Sequence, residues 1–519
     1  MKVRAGMLAV DAATRFGAST ALTFNGEHTT FSELDRAANR AGNRLRHVGL
    51  AEGEVVGVLM YNRPEAVHLW LGLERAGLLR VTLHSHFEMQ THVDLLTHLG
   101  SSTIVFDSRF TSLVESCLDQ LEGFRLIAVG TDAPDWATPW DEVTSAGDDE
   151  PWYLEVDEDT PAFIQPTTGT TGTPKPWIVT HRSWAAVVNQ NLLHLDTFDG
   201  DLSSLGPNDV WMHVHALQWA TGFQLLYPPM LRGARTVLVD DSDFDPEAVL
   251  DEILAEGVTG LLLPAPMLTP ILDVIEARGR VEHTITRLVI FFASPELLDR
   301  VTKLLGPVWC HGFGSTEQGA VTTRLLPSEV TDHPVRLGSV GRAASPFFEV
   351  AIFNDRGERA STGQLGEIVV RSAMSTSTYW NMPDRTERVF HPGDWFRPED
   401  IGYLDEDGFL YYVDRAVDSI ATPEGTVYPH SVENAVLRHR SVANCGVVSD
   451  GNGGVIAAVA LKPGTANTVE LREEIRAAAA PGLKEHEVPR ILVMDELPTV
   501  LGGAKVQRGL LREQVAGTR

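Results

Sequence analysis

Residues Pro166–His181 read PTTGTTGTPKPWIVTH. Hydroxyls and glycines are packed together and are followed by a proline and a lysine. Glycine lets a backbone N–H approach an anion closely, threonine hydroxyls add donors, and Lys175 adds a positive charge, so the stretch suits phosphates. A Thr/Gly cluster is otherwise read as a flexible linker. The lysine at its end and the strand-like Ala162–Gln165 just before it favour the phosphate loop. The spacing is not that of a Walker loop, which needs GxxxxGK[ST].

Outward from this loop the chain alternates between two periodicities. Upstream, Phe31 to Gly49 carries apolar residues at helical spacing with Ser32 as its cap. Glu54 to Met60 reads as a buried strand, Arg63 to Gly77 as a helix, and Ser102–Asp107 and Leu126–Val129 as short strands. The acidic stretch Asp148–Asp159 reads as a surface connection. Downstream, strands are expected at Thr236–Val239, Gly260–Leu263 and Arg287–Phe291, with helices at Asp245–Glu256 and Pro266–Ala277. Strands alternating with helices indicate an α/β fold with mainly parallel sheets. From about Gly341 the strands shorten and Gly/Asp turns appear. The last hundred residues have their own pattern: a hairpin in VSDGNGGVIAAVALKPG, a helix over Thr468–Ala480 and a strand at Ile491–Met494. A boundary near Asp414–Asp418 gives a large N-terminal domain of several subdomains, residues 1–414, and a small α+β C-terminal domain, residues 415–519.

Composition excludes several classes. The 519 residues carry 42 Lys+Arg against 70 Asp+Glu, a formal charge of −28. Such a chain lacks the basic face needed to bind nucleic acid or anionic membrane. Three separated cysteines, Cys117, Cys310 and Cys445, with no CxxC pair, suit a reducing compartment. The N-terminus has no signal-peptide pattern and no apolar run reaches about 18 residues, so a cytoplasmic location is expected. Only six of the 42 basic residues are lysines (Lys2, Lys175, Lys303, Lys462, Lys484 and Lys505), which makes each interior one informative.

Pro166–Lys175 resembles the [ST][ST]GTTGxPK signature of the adenylate-forming superfamily, which holds acyl- and aryl-CoA synthetases, luciferases and peptide-synthetase adenylation domains. Further matches follow in the family's order. Gly312–Glu317, GFGSTE, resembles [YF]GxTE, and Asp394–Gly408, DWFRPEDIGYLDEDG, resembles W(Y/F)xTGDxGxxDxDG. Asp414-Arg415 stands where Gly-Arg is usual, and Leu497–Arg508, LPTVLGGAKVQR, resembles LPxTxxGKxxR.

The resemblance implies an ATP- and Mg²⁺-dependent ligase whose small C-terminal domain is mobile. It implies nucleotide contacts from Thr167, Thr168, Gly169, Thr170, Thr171, Gly172, Thr173 and Lys175, and from Phe313, Gly314 and Thr316. Asp400 and Arg415 would hold the ribose and Glu317 the metal. Thr316, Lys175 and Lys505 would act in catalysis, with Lys505 stabilising charge in the transition state.

Three departures bear on substrate and acceptor. Where the family has a small Gly-Gly-Ala stretch lining the acyl pocket, this chain has Phe291-Phe292-Ala293, which would shorten a tunnel unless one ring turns into the core. Trp219-Ala220-Thr221-Gly222 stands for the aromatic FHxxG motif, which puts Trp219 and Gly222 at the pocket unless the tryptophan is simply part of the core. Histidine pairs at His84/His86 and His213/His215 lack an acidic or cysteine partner at ligand spacing, so metal binding there is the minor reading. Val417 stands at the hinge, and Thr422-Pro423-Glu424-Gly425 departs from the usual glycine-bearing loop along the CoA path.

The expected reaction is adenylation of a small, aromatic carboxylic acid with transfer to CoA or a carrier-protein thiol. Two alternatives stay open. One is activation of a small acid or other oxyanion for an amine acceptor; the other is a non-catalytic nucleotide-binding relative.

Overall fold

In the computed structural model, the described residues are 1–144, 149–151, 153–167, 174–198, 204–319, 321–372, 377–500 and 505–517. Two large sheets dominate. The first has seven strands in the order Lys175–Thr180, Pro161–Thr167, Leu79–Thr82, Val55–Leu59, Thr103–Asp107, Arg125–Val129 and Thr138–Pro139. All neighbours are parallel except the first two, which form an antiparallel hairpin.

The second sheet has nine strands. Six of them, Trp309–Phe313, Arg287–Phe291, Gly260–Pro264, Val210–His213, Arg235–Leu238 and Thr20–Phe24, run parallel. Every residue from Gly260 to Pro264 and from Arg287 to Phe291 is buried, as expected of strands covered on both faces. In such sheets ligands bind beyond the carboxyl ends of the strands. Here those ends lead into Trp219, Phe292 and Glu317.

An antiparallel sheet of six strands, built from Phe348 to Arg415, follows. Its last pair sets Asp400–Leu404 against Leu410–Arg415. Beyond Arg415, the strands Val442–Ser449, Val455–Leu461 and Arg490–Val493 make a three-stranded sheet. One apolar cluster there, including Ile420, Val432, Val459, Ile475 and Ile491, is drawn entirely from residues after Arg415.

Helix Phe31–His47 is capped by Thr30 rather than Ser32. The Thr30 hydroxyl accepts from the Glu33 N–H at 3.2 Å, and the Thr30 N–H donates to the Glu33 carboxylate at 2.8 Å. A threonine three residues ahead of a glutamate completes a reciprocal box that Ser32 cannot form. This helix lies against Pro64–Arg75 with almost no gap: a Cβ on Gly72 would stand 2.7 Å from the Ala38 carbonyl oxygen. The stretch Asp148–Asp159 is not wholly a surface connection. Its Glu155–Asp157 pairs antiparallel with Lys2–Arg4, setting Lys2 opposite Asp157 and Arg4 opposite Glu155. Opposite charges directly across a ladder stabilise such a pairing.

Candidate active site

The strands on either side of the expected phosphate loop, Pro161–Thr167 and Lys175–Thr180, pair antiparallel. Thr167 and Lys175 are paired across the ladder at its mouth, while Thr168, Gly169, Thr170, Thr171, Gly172 and Thr173 lie outside the described residues. Thr167 is buried and Lys175 half-buried. Burial lowers the Lys175 pKa, and the nearby Arg385 and Arg415 lower it further, against the opposing pull of Glu399 and Glu317. Two residues along the same strand, Trp177 pairs with Tyr379, the residue that joins this strand to Glu317.

Glu317 comes to the cleft from the nine-stranded sheet. Strand Trp309–Phe313 ends in Gly314, and a short 3₁₀ turn, Thr316–Gln318, holds Thr316 and Glu317 at the surface of the cleft. The Tyr379 hydroxyl donates to Oε1 of Glu317 at 2.8 Å. Tyr379 is 4% exposed and packs edge-on to Trp177 at 4.9 Å between ring centroids. Its backbone is carried as an extra strand edge beside the hairpin: Ile178 N–H donates to Thr378 O at 2.9 Å, and Trp380 N–H to Pro176 O at 2.8 Å. Burial and the Glu317 carboxylate keep the phenol firmly protonated.

The third wall is the antiparallel sheet. Asp400 and Arg415 face each other across it, with Arg415 Nε 3.8 Å from Asp400 Oδ1. Phe313 lies beside Tyr412 at 5.8 Å between centroids. Ahead of Asp400, Glu399 has φ +66°. This is the place where the sequence motif has glycine, and a glutamate in that left-handed conformation costs about 1–2 kcal/mol. Both carboxylate oxygens of Glu399 accept from Arg385, at 3.0 and 3.2 Å.

Beside Arg415, Asp414 is fully buried. It accepts from the Arg415 N–H at 2.7 Å and from the His430 N–H at 2.6 Å, in the first turn of helix Pro429–Leu437. Arg508 lies 3.9 Å from Asp414, donates to Asp418 at 3.1 Å, and is bound to Glu433 at 2.7 Å. Lys505 lies on a two-residue strand paired with Thr499–Val500, at the end of residues 501–504, which are outside the described set.

The expected acyl pocket lies at the carboxyl edge of the nine-stranded sheet. Trp219 is 9% exposed and its indole stacks on the His84 imidazole at 4.1 Å, with His86 and His215 nearly parallel farther out. Gly222 must be small: a Cβ there would stand 2.4 Å from the Ala216 carbonyl oxygen. Phe291 turns into an apolar cluster with Leu262, Val289 and Cys310, the alternative that the sequence leaves open for one of the pair. Phe292, at φ +63°, is 56% exposed, and Ala293 is half-buried beside it.

Sequence reasoning therefore names Lys175, Glu317, Asp400 and Arg415, which the fold brings together, and misses Tyr379 and Arg385. Both stand in STYWNMPDR, a stretch with no glycine loop or repeated spacing to mark it. Their place depends on backbone pairing with Pro176–Ile178.

The cleft stands at the strand ends of a parallel sheet and is closed by an antiparallel one. Residues 10–380 match the AMP-binding enzyme family and residues 431–500 match the AMP-binding enzyme C-terminal domain; the chain belongs to that family. A 2-succinylbenzoate–CoA ligase of Geobacillus kaustophilus is 31% identical over 497 residues, 93% of this chain and 92% of its own. An indoleacetate–CoA ligase of Aromatoleum aromaticum is 28% identical over 509 residues, 96% of this chain and 95% of its own. The fold is also that of the anthranilate CoA ligase AuaEII in complex with anthranoyl-AMP, with a TM-score of 0.89 at 21% identity over 99% of this chain and 98% of that one.

Proposed function

We propose that the protein uses ATP and Mg²⁺ to adenylate a small aromatic carboxylic acid and then transfers the acyl group to the thiol of CoA. The observation that carries this reading is geometric: Tyr379 pairs with Trp177 on the strand that begins at Lys175, its hydroxyl reaches Glu317, and Arg385 beside its ring is bound to Glu399, next to the Asp400–Arg415 pair. The named activities of the 2-succinylbenzoate and indoleacetate relatives support an aromatic acid and CoA.

In this reading the substrate carboxylate attacks the α-phosphorus of ATP and pyrophosphate leaves. Lys175 and the threonine loop hold the departing pyrophosphate, Asp400 and Arg415 hold the ribose, and Phe313 lies by the adenine. Thr316 donates to the α-phosphate. Lys505 neutralises charge between carboxylate and phosphorus once the residues after Arg415 close over the cleft. Positioning and electrostatics suffice for such a transfer, with no protein nucleophile. Glu317 suits Mg²⁺ because a hard cation takes carboxylate oxygen, and Tyr379 fixes its orientation through one of the two oxygens. Bound there, the ion would neutralise and orient the phosphates.

An amine acceptor is the second reading, favoured by the turn at Thr422–Gly425. Thr422 Oγ1 donates to Gly425 O at 2.7 Å, and Pro423 and Glu424 are exposed, setting a negative charge where CoA would bring its phosphates. The test is pyrophosphate release across a panel of small acids, followed by mass spectrometry with CoA, with an amine and with neither. A thioester supports the first reading and an amide the second. No pyrophosphate from any acid defeats both.

A further inference from the structure

Glu399 suits neither the backbone it stands on nor the polyanion that the cleft is read as binding. It holds a left-handed conformation without being glycine, and it puts a carboxylate among Lys175, Arg385 and Arg415, in a cleft read as binding a polyanion. Its partner resolves the conflict. Arg385, on the short helix Pro383–Arg388, grips both carboxylate oxygens with a planar fork. The same fork fits two phosphate oxygens equally well. The guanidinium carbon lies 5.8 Å from the centroid of the Tyr379 ring, whose hydroxyl is on Glu317. Arg385 is thus one aromatic ring away from the carboxylate read as the Mg²⁺ ligand, and near enough to Lys175 to lower its proton affinity.

We propose that Arg385 joins Lys175 as a second side-chain cation at the pyrophosphate end of the nucleotide site, and that Glu399 is its counterion until phosphate displaces it. The inference rests on the nucleotide reading of the cleft. With no polyphosphate present, Glu399 stops Lys175, Arg385 and Arg415 from repelling one another. When the β- and γ-phosphates arrive, they take over the fork and Glu399 swings away. AMP, which lacks those phosphates, leaves the pair intact.

The test is calorimetric binding by the full-length enzyme of three probes: a non-hydrolysable ATP analogue with Mg²⁺, pyrophosphate with Mg²⁺, and AMP. Arg385→Met should weaken the ATP analogue and pyrophosphate about tenfold, the loss expected for one charge-assisted contact, and change AMP less than twofold. Glu399→Gln and Glu399→Gly should each tighten the first two about threefold or more, with AMP again unchanged. Glu399→Gly also relieves the backbone, so a misfolding Gln variant would not leave the question open. If Arg385→Met weakens AMP as much as the ATP analogue, the pair only props up Asp400 and the proposal is overturned. Unchanged pyrophosphate affinity in all three variants overturns it as well. Failure of the unaltered enzyme to bind the ATP analogue would overturn the nucleotide reading itself, and this inference with it.

Discussion

The Tyr379 hydroxyl donates to Oε1 of Glu317 at 2.8 Å although 62 positions separate the two residues. Toward a carboxylate a protonated phenol can only donate, so it holds one Glu317 oxygen in place. Tyr379→Phe keeps the ring packed on Trp177 and removes only the hydroxyl. We expect the Mg²⁺ concentration for half-maximal pyrophosphate release to rise about tenfold, the lower end of what loss of a supporting contact to a metal ligand does. Stability should fall by about 1.5–3 kcal/mol. An unchanged Mg²⁺ dependence would detach Tyr379 from the metal site.

Asp414 stands where the family motif has glycine, and it joins strand Leu410–Arg415 to the first α-helix beyond Arg415. Asp414→Ala would leave the His430 N–H without this acceptor and remove one of three carboxylates around Arg508. The expected loss is about 1–2 kcal/mol, comparable to a lost helix cap, seen as a lower urea midpoint. Asp414→Asn keeps an acceptor and should lie between. Equal midpoints for all three proteins would show that the buried carboxylate contributes nothing to stability.

Acid should unfold this protein early, because burial holds many histidines neutral. Burial pushes His84, His194 and His213 down to about 3, and His92, His215 and His311 down to about 4. Unfolded histidine titrates near about 6.5. Below that value the unfolded chain takes up protons that the folded one refuses, so the stabilisation is complete above about pH 6.5 and declines as pH falls toward 4 and then 3. Each such histidine contributes up to about 1.4 kcal/mol per pH unit. Asp241, raised by burial to about 7, works in the opposite direction and offsets part of the loss. Urea midpoints at pH 7.5, 6.5 and 5.5 should show little change over the first step and a large drop over the second. A flat profile would mean that these imidazoles are solvated.

Much of the site was legible because its chemistry lies in ordered motifs: Lys175, Glu317, Asp400 and Arg415 are polar residues set among glycines and turns, where a bland reading of each is weakened by the others. The parallel strands were legible too, since Gly260–Pro264 and Leu288–Phe291 are short apolar runs of strand length. What escaped depends on long-range register. Tyr379 and Arg385 reach the cleft only because Thr378 and Trp380 pair with the backbone of Pro176–Ile178, and no local pattern announces that. Glu155–Asp157 looked like a solvated acidic stretch until the N-terminal Lys2–Arg4 supplied its partner. Ser32 and Thr30 are both good caps, and the choice fell to the one with glutamate three residues on.

The two adjacent phenylalanines offer the sharpest test of how the pocket is shaped, because the fold treats them oppositely. Phe291 is 8% exposed and packs among core side chains, whereas Phe292 is 56% exposed and sits at φ +63°, where a bulky residue is strained. Phe292→Gly removes the ring and suits the backbone, so stability should hold or rise by up to about 1 kcal/mol. If Phe292 limits the pocket, the same variant should accept longer acids in a pyrophosphate-release series. Phe291→Gly instead opens a hole in the core and should lower stability by about 3–5 kcal/mol. Wild-type stability in that variant would contradict the core position of Phe291. An unchanged chain-length preference in Phe292→Gly would show that its ring closes nothing, and that the length limit lies with Trp219 and the histidines around it.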